Sequence, residues 1–147
     1  MIDPTVRRAE GSDAPQLAEL EADGRAALIG QRGGEQWLLA HPEIADGWSR
    51  RAAEADVWVA HIGDVLVGYL VAILGDDLVL RIDQVWVTPQ ARELGFGDEL
   101  LATAIASARQ AGAIAVEGQA LPGDRHTKNL YERAGIVARL ITTFRAL

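Results

Sequence analysis

Residues 82–100 read IDQVWVTPQARELGFGDEL. An apolar, β-branched run stops at Pro89, and Gly95 and Gly97 follow with one residue between them. From Phe96 between them, apolar residues recur at helical spacing through Leu100, Leu101, Ala104, Ile105 and Ala108, and Gly112 closes the pattern. A strand, a glycine turn and a helix start together form an anion site. The first helical N–H groups have no partner inside the helix, and the helix dipole places partial positive charge beside them. Gly95 and Gly97 let the backbone approach a ligand where a Cβ would clash. Arg92 is the one nearby cation, and Glu93, Asp98 and Glu99 must then face away from the anion. A tight turn whose glycines only ease packing explains the pair equally well, so the surroundings decide.

Upstream, residues 56–87 hold three apolar runs separated by the turn signals "GD" (63–64) and "GDD" (75–77). Loops this short make neighbouring runs antiparallel, which predicts a meander. Nearer the N-terminus, 5–9 reads as a strand. Asp13 is placed to cap a helix with Pro15 in its first turn and Leu17, Leu20, Ala27 and Leu28 on its apolar face. Residues 29–37 read as a break and 42–54 as a second helix. Downstream, 113–120 reads as a strand, Asp124 as the cap of a helix ending at Gly135, and 136–147 as a final strand. The predicted order is β-α-α-β-β-β-α-β-α-β in a single domain, 1–147. That is an α/β fold (α+β in some schemes) with a mixed, mostly antiparallel sheet.

Composition narrows the function. The chain has 147 residues, 49% of them hydrophobic and 24% charged, as in an ordinary soluble domain. The net charge of −7 opposes a broad nucleic-acid or anionic-membrane surface, because both need clustered Lys and Arg. Without cysteine there is no disulfide framework, thiolate nucleophile or Cys-type zinc site, and His41, His61 and His126 lack ligand spacing, so no metal is expected. No apolar run approaches a membrane span, and the N-terminus lacks a signal-peptide core, which predicts a cytoplasmic protein.

Two nucleotide motifs fail. A P-loop needs a Gly-Lys pair, and none occurs. A dinucleotide fingerprint needs a third glycine or alanine where Leu100 stands, although Glu117 lies 20 residues after Gly97, where a ribose-binding acid would fall. The segment instead resembles the GCN5-related N-acetyltransferase (GNAT) family, whose motif is Gln or Arg, two residues, Gly, one residue, then Gly or Ala. Here it reads RELGFG, Arg92 to Gly97, after a strand that ends in Val and Pro. A second likeness lies at DRHTKNLYERAGI (124–136), with Asp124, Thr127, Leu130, Tyr131, Glu132 and Gly135 at the family's positions.

The resemblance implies transfer of an acetyl group from acetyl-CoA to a primary amine, a small molecule or a protein amine, without a metal. It implies that Arg92, Glu93, Leu94, Gly95, Phe96, Gly97 and Asp98 cradle the CoA pyrophosphate. Val85, Trp86 and Val87 would hold the pantetheine arm, with Asp124, Lys128 and Tyr131 also lining the donor site. An amide near Val87 would stabilise the oxyanion where β-strands splay apart. Tyr131 falls at the family's general acid, which protonates the leaving thiolate. Asp83 stands where the family often has a base, usually Glu; strand alternation predicts that it shares a face with Val85 and Val87.

Departures from the pattern bear on this. Glu93–Leu94 replaces the family's usual Gly-Lys or Gly-Arg, Asp98 stands where small hydroxyl or basic residues are frequent, and Asp124 replaces Asn. A non-catalytic CoA-binding sensor of the same fold is therefore the alternative. Only 12 residues follow Gly135, too few for the family's C-terminal hairpin. An uncovered sheet edge there predicts a homodimer through the C-terminal strand. Trp58 and Trp86 read as packing residues. Trp37, Trp48, Glu35 and His41 read either as surface or as lining an acceptor pocket, and His126 as exposed.

Overall fold

The computed structural model describes residues 3–147. Its strands are β1 (Thr5–Arg8), β2 (Asp56–Ile62), β3 (Val65–Leu74), β4 (Val79–Val87) and β5 (Ala115–Gly118). Its helices are α1 (Ala14–Leu28), α2 (Gly34–Ala40), α3 (Trp48–Glu54), α4 (Phe96–Gln110) and α5 (Arg125–Arg133). The sheet order is β1-β2-β3-β4-β5. The first four strands pair antiparallel, as the short turns at 63–64 and 75–77 require, and β5 joins β4 in parallel after the α4 crossover.

Each sheet face carries its own core. On one, α4 packs Phe96, Leu100, Leu101, Ala104 and Ala108 against Leu70, Leu80, Ile82 and Val87, and α5 adds Leu130 and Tyr131. On the other, Leu17 and Leu20 of α1 and Trp48 of α3 meet Val57, Val59, Tyr69 and Val71. The sequence spacing in α4 is borne out. The α1 face is not as expected: Leu17, Leu20, Glu21 and Gly24 are buried, while Ala27 is exposed and Leu28 half-buried. The inward position of Glu21 turns the stripe away from the purely apolar one.

Several boundaries move for local reasons. Asp13 gives α1 no side-chain cap; its carboxylate accepts from the Glu10 N–H at 2.8 Å and from Arg7 Nη1 and Nη2 at 2.7 and 2.9 Å. α2 begins inside the expected break, and α3 covers only the second half of the expected helix, after a 3-10 turn at Ala45–Gly47. The strand expected at 136–147 does not form, and the element order ends at α5. A strand needs a partner, and none of the described residues pairs with this segment. Leu140, Ile141 and Phe144 are left 89%, 82% and 67% exposed.

Candidate active site

The site begins with a defect in β4. Gln84 is opposite Val71 and Ile82 is opposite Ala72, so Asp83 is an extra residue facing no partner. Such a bulge resets the alternation of side chains. Leu80 and Ile82 face α4 before it, and Val85 and Val87 face α4 after it. Asp83 therefore does not share the face of Val85 and Val87. It reaches towards α3 and the loop after α2: Asp83 Oδ1 lies 3.8 Å from His41 Nε2, and Oδ2 lies 4.0 Å from Arg51 Nη1. Beside it the buried Gln84 accepts the Tyr69 hydroxyl at 2.7 Å. Arg81, two residues earlier on β4, is held by Asp77 and Glu117.

Past the bulge, β4 runs beside a gap. Its pairing with β5 ends at Ile82–Gly118. On the other side, the Thr88 N–H donates to the Val67 carbonyl at 2.8 Å. Bonded and non-bonded pairs alternate in an antiparallel ladder, so Trp86 exchanges its backbone bonds with Tyr69. The N–H and C=O groups of Val85 and Val87 consequently point away from β3, into the gap. Arg92 Nε donates to the Val87 carbonyl at 3.0 Å; the remaining groups of Val85 and Val87 have no backbone partner among the described residues.

The ring of Tyr131 forms one wall of this gap. A Cβ on Gly118 would stand 2.8 Å from both Tyr131 Cζ and its hydroxyl oxygen, so only glycine lets the ring lie there. The hydroxyl has no hydrogen-bond partner among the described residues. Burial first, then the charge of Asp124, pushes the phenol above its ordinary value, so near neutral pH it is protonated and able to donate.

Just beyond β4 the chain forms the glycine turn. Gly95 has φ of 88° and caps α4; Glu93 also takes a positive φ, 65°, which a non-glycine residue adopts only under constraint. The first bond of α4 runs from the Glu99 N–H to the Gly95 carbonyl, leaving the N–H groups of Phe96, Gly97 and Asp98 unpaired within the helix. Asp98 accepts from Arg133 Nε at 2.9 Å, and Glu99 from the Thr103 hydroxyl at 3.4 Å. Two of the three acids are thus tied to residues further along α4 and on α5. Glu93 and Leu94 are exposed. The Arg92 guanidinium lies 4.7 Å over the Trp86 ring, which itself packs on Gly24 of α1.

Around the turn, Asp124 is occupied as the cap of α5, accepting the Thr127 N–H at 3.1 Å and its hydroxyl at 2.7 Å. Lys128 is exposed, 4.0 Å from Glu132. His126 is half-buried rather than exposed; burial first, then Arg92, lowers its basicity. On the opposite side of the sheet, residues missed by the sequence reading hold the segment between α2 and α3. Glu21, fully buried, accepts the N–H groups of Ile44 and Ala45 and the Trp48 indole N–H at 2.9, 2.9 and 3.2 Å. Trp48 is core, neither surface nor pocket lining. Arg25 donates to the His41 carbonyl at 2.6 Å. The available signal was positional: Glu21 and Arg25 follow Leu17 at helical spacing.

A five-stranded mixed sheet with a bulged fourth strand, a β4–β5 gap and a glycine-capped α4 is the acyl-CoA N-acyltransferase fold. The sequence profile of the Acetyltransferase (GNAT) family matches residues 17–136, and the chain belongs to that family. No curated protein sequence matches the chain. Among solved structures, it is similar to the PaiA N-acetyltransferase from Thermoplasma acidophilum in complex with coenzyme A, with 13% identity over 90% of this chain and 89% of that one and a TM-score of 0.73. A ribosomal-protein-alanine N-acetyltransferase from Brucella melitensis biovar Abortus 2308 shares 15% identity over 99% of both chains, with a TM-score of 0.72. An aminoglycoside acetyltransferase from an uncultured soil metagenomic sample, in complex with sisomicin, shares 16% identity over 98% and 96%, with a TM-score of 0.71.

Proposed function

We propose that the protein transfers an acetyl group from acetyl-CoA to a primary amine by direct attack. The observation that carries this is the gap beside β4. Its backbone groups at Val85 and Val87 lie open, Tyr131 stands on the α4–α5 side at Gly118, and the Asp83 bulge opens towards α1–α3. Donor and acceptor would thus enter from opposite faces of the sheet and meet at the gap.

The N–H groups of Phe96, Gly97 and Asp98 at the dipole end of α4 suit a pyrophosphate, and Val85 and Val87 suit the amide groups of a pantetheine arm. The Val87 N–H is placed to donate to a thioester carbonyl as it gains negative charge. Asp83 belongs to the acceptor side, where the ammonium must lose a proton before its nitrogen attacks the carbonyl carbon. The C–N bond forms, the C–S bond breaks, and Tyr131 gives its proton to the departing sulfur. The phenolate regains a proton from the newly formed amide nitrogen or from water.

Among the described residues no helix is long and apolar enough to cross a membrane. We also infer that 136–147 completes a strand on pairing with a second copy of the chain, because Leu140, Ile141 and Phe144 are exposed and β5 ends the sheet with no further strand among the described residues.

Calorimetric titration tests the donor: acetyl-CoA binds and NADH does not, and the reverse result would overturn the assignment. Release of CoA thiol with a panel of amines then separates the enzyme from a CoA-binding sensor. The acidic turn favours the sensor reading, and that reading predicts binding without amine-dependent release.

A further inference from the structure

We propose that His41 and Asp83 together form the site for the acceptor's ammonium group and that His41 takes its proton. This rests on the acetyl-transfer reading and supplies the base which that reading needs. His41 Nδ1 lies 2.8 Å from the Trp37 carbonyl, which can only accept, so Nδ1 carries a hydrogen. In the neutral ring Nε2 is then a lone-pair acceptor. It faces Asp83 Oδ1 at 3.8 Å, too far for a direct hydrogen bond and close enough for one donor group to reach both atoms. A primary ammonium carries three such donors and fits between two acceptors that otherwise repel.

The ring is held for this task. It stacks on Trp37 with centroids 4.1 Å apart and planes inclined by 11°. Its backbone is clamped by Arg25, and the loop that follows is anchored on Glu21, which holds Ala45 at a φ of 51°. The charged groups facing it are Asp83 from β4, Arg51 from α3 and Arg25 from α1. Arg51 contacts Asp83 Oδ2, leaving Oδ1 for the ligand. In the step itself, one N–H bond of R–NH3+ breaks and its proton passes to Nε2. The free amine keeps the electron pair that attacks the thioester, and Asp83 stabilises the imidazolium. An alcohol or a neutral amide lacks the charge that Asp83 is placed to meet. The site therefore selects alkylammonium acceptors.

The test uses butylamine and uncharged butanol as probes. With three histidines in the chain, the His41 ring resonance is assigned by its loss in His41→Asn. Butylamine is expected to shift the Cε1–H signal of His41, butanol not, and Asp83→Asn to abolish the response. No response to butylamine, or an equal response to butanol, overturns the site. Where any amine releases thiol from wild type, His41→Asn should lower kcat/KM for that amine by ~10²-fold or more. KM for acetyl-CoA should hold, and the deficit should shrink as the assay pH nears the amine's own pKa. An unchanged kcat/KM overturns the role of His41. If no amine is acetylated by wild type, the transfer reading fails, and the spectra alone decide whether the ammonium site exists. Should His41→Asn lose its folded amide spectrum, His41→Gln is measured in its place.

Discussion

The Tyr131 ring lies on the bare face of Gly118, 2.8 Å from where a side chain would begin. Two distant motifs, the end of β5 and the middle of α5, are thereby locked at the point where β4 and β5 part. Replacing Gly118 with Ala must push the ring away. The expected cost is about 1–3 kcal/mol in urea denaturation, with slower acetyl transfer by a protein that still folds. Unchanged stability and turnover would show that the contact is dispensable.

The buried carboxylate of Glu21 serves three donors. Glu21→Leu keeps the volume close and leaves the Trp48 indole and two backbone N–H groups without a partner. Each such group costs about 1–3 kcal/mol, so a loss of ~3 kcal/mol or more is expected from denaturant unfolding. A loss under about 1 kcal/mol would mean that water or loop movement replaces the carboxylate.

Acid stability should depend on Asp13. The hydrogen bonds from Arg7 hold its carboxyl below the ordinary value, against the opposing effect of burial. A lowered folded value means that the stabilisation is present above about pH 3.9, the unfolded value, and is lost as pH falls through the folded one. Asp13→Asn should reduce stability at neutral pH by about 1–3 kcal/mol and flatten the acid limb of a melting-temperature profile.

The alkaline limb should fall for the opposite reason. Burial raises the phenols of both Tyr69 and Tyr131 above their ordinary value. Their contribution is complete below about pH 10, where unfolded tyrosine ionises, and declines as pH rises from there towards the folded values. Melting temperatures should therefore drop above about pH 10, and less steeply in Tyr131→Phe.

The meander, the α4 stripe and the glycine turn were legible because each is a local pattern. Turn chemistry sets the hairpins, and Leu100, Leu101, Ala104 and Ala108 announce a buried face without reference to anything distant. The face of Asp83 was not legible. Alternation holds only while two strands stay in register, and the bulge opposite Val71–Ala72 depends on the fit of β3 to β4. Glu21 was missed because charge alone marks a residue as exposed, and only the folded loop supplies the three donors that make its burial tolerable. The C-terminal segment alternates well enough to read as a strand, yet pairing requires an edge, which is a property of the assembled sheet rather than of residues 136–147. Glu93, Asp98 and Glu99 looked opposed to an anion. Arg133 and Thr103 engage two of them, which spacing along the chain does not reveal.

The most direct measurement is amine-dependent release of CoA thiol from acetyl-CoA by wild type and by Tyr131→Phe, with acetyl-CoA binding measured on both. The account predicts release by wild type, a ~10²–10⁴-fold lower rate in Tyr131→Phe, and donor binding retained by the variant. Donor binding with no release across the amine panel, or a Tyr131→Phe protein as fast as wild type, would contradict it.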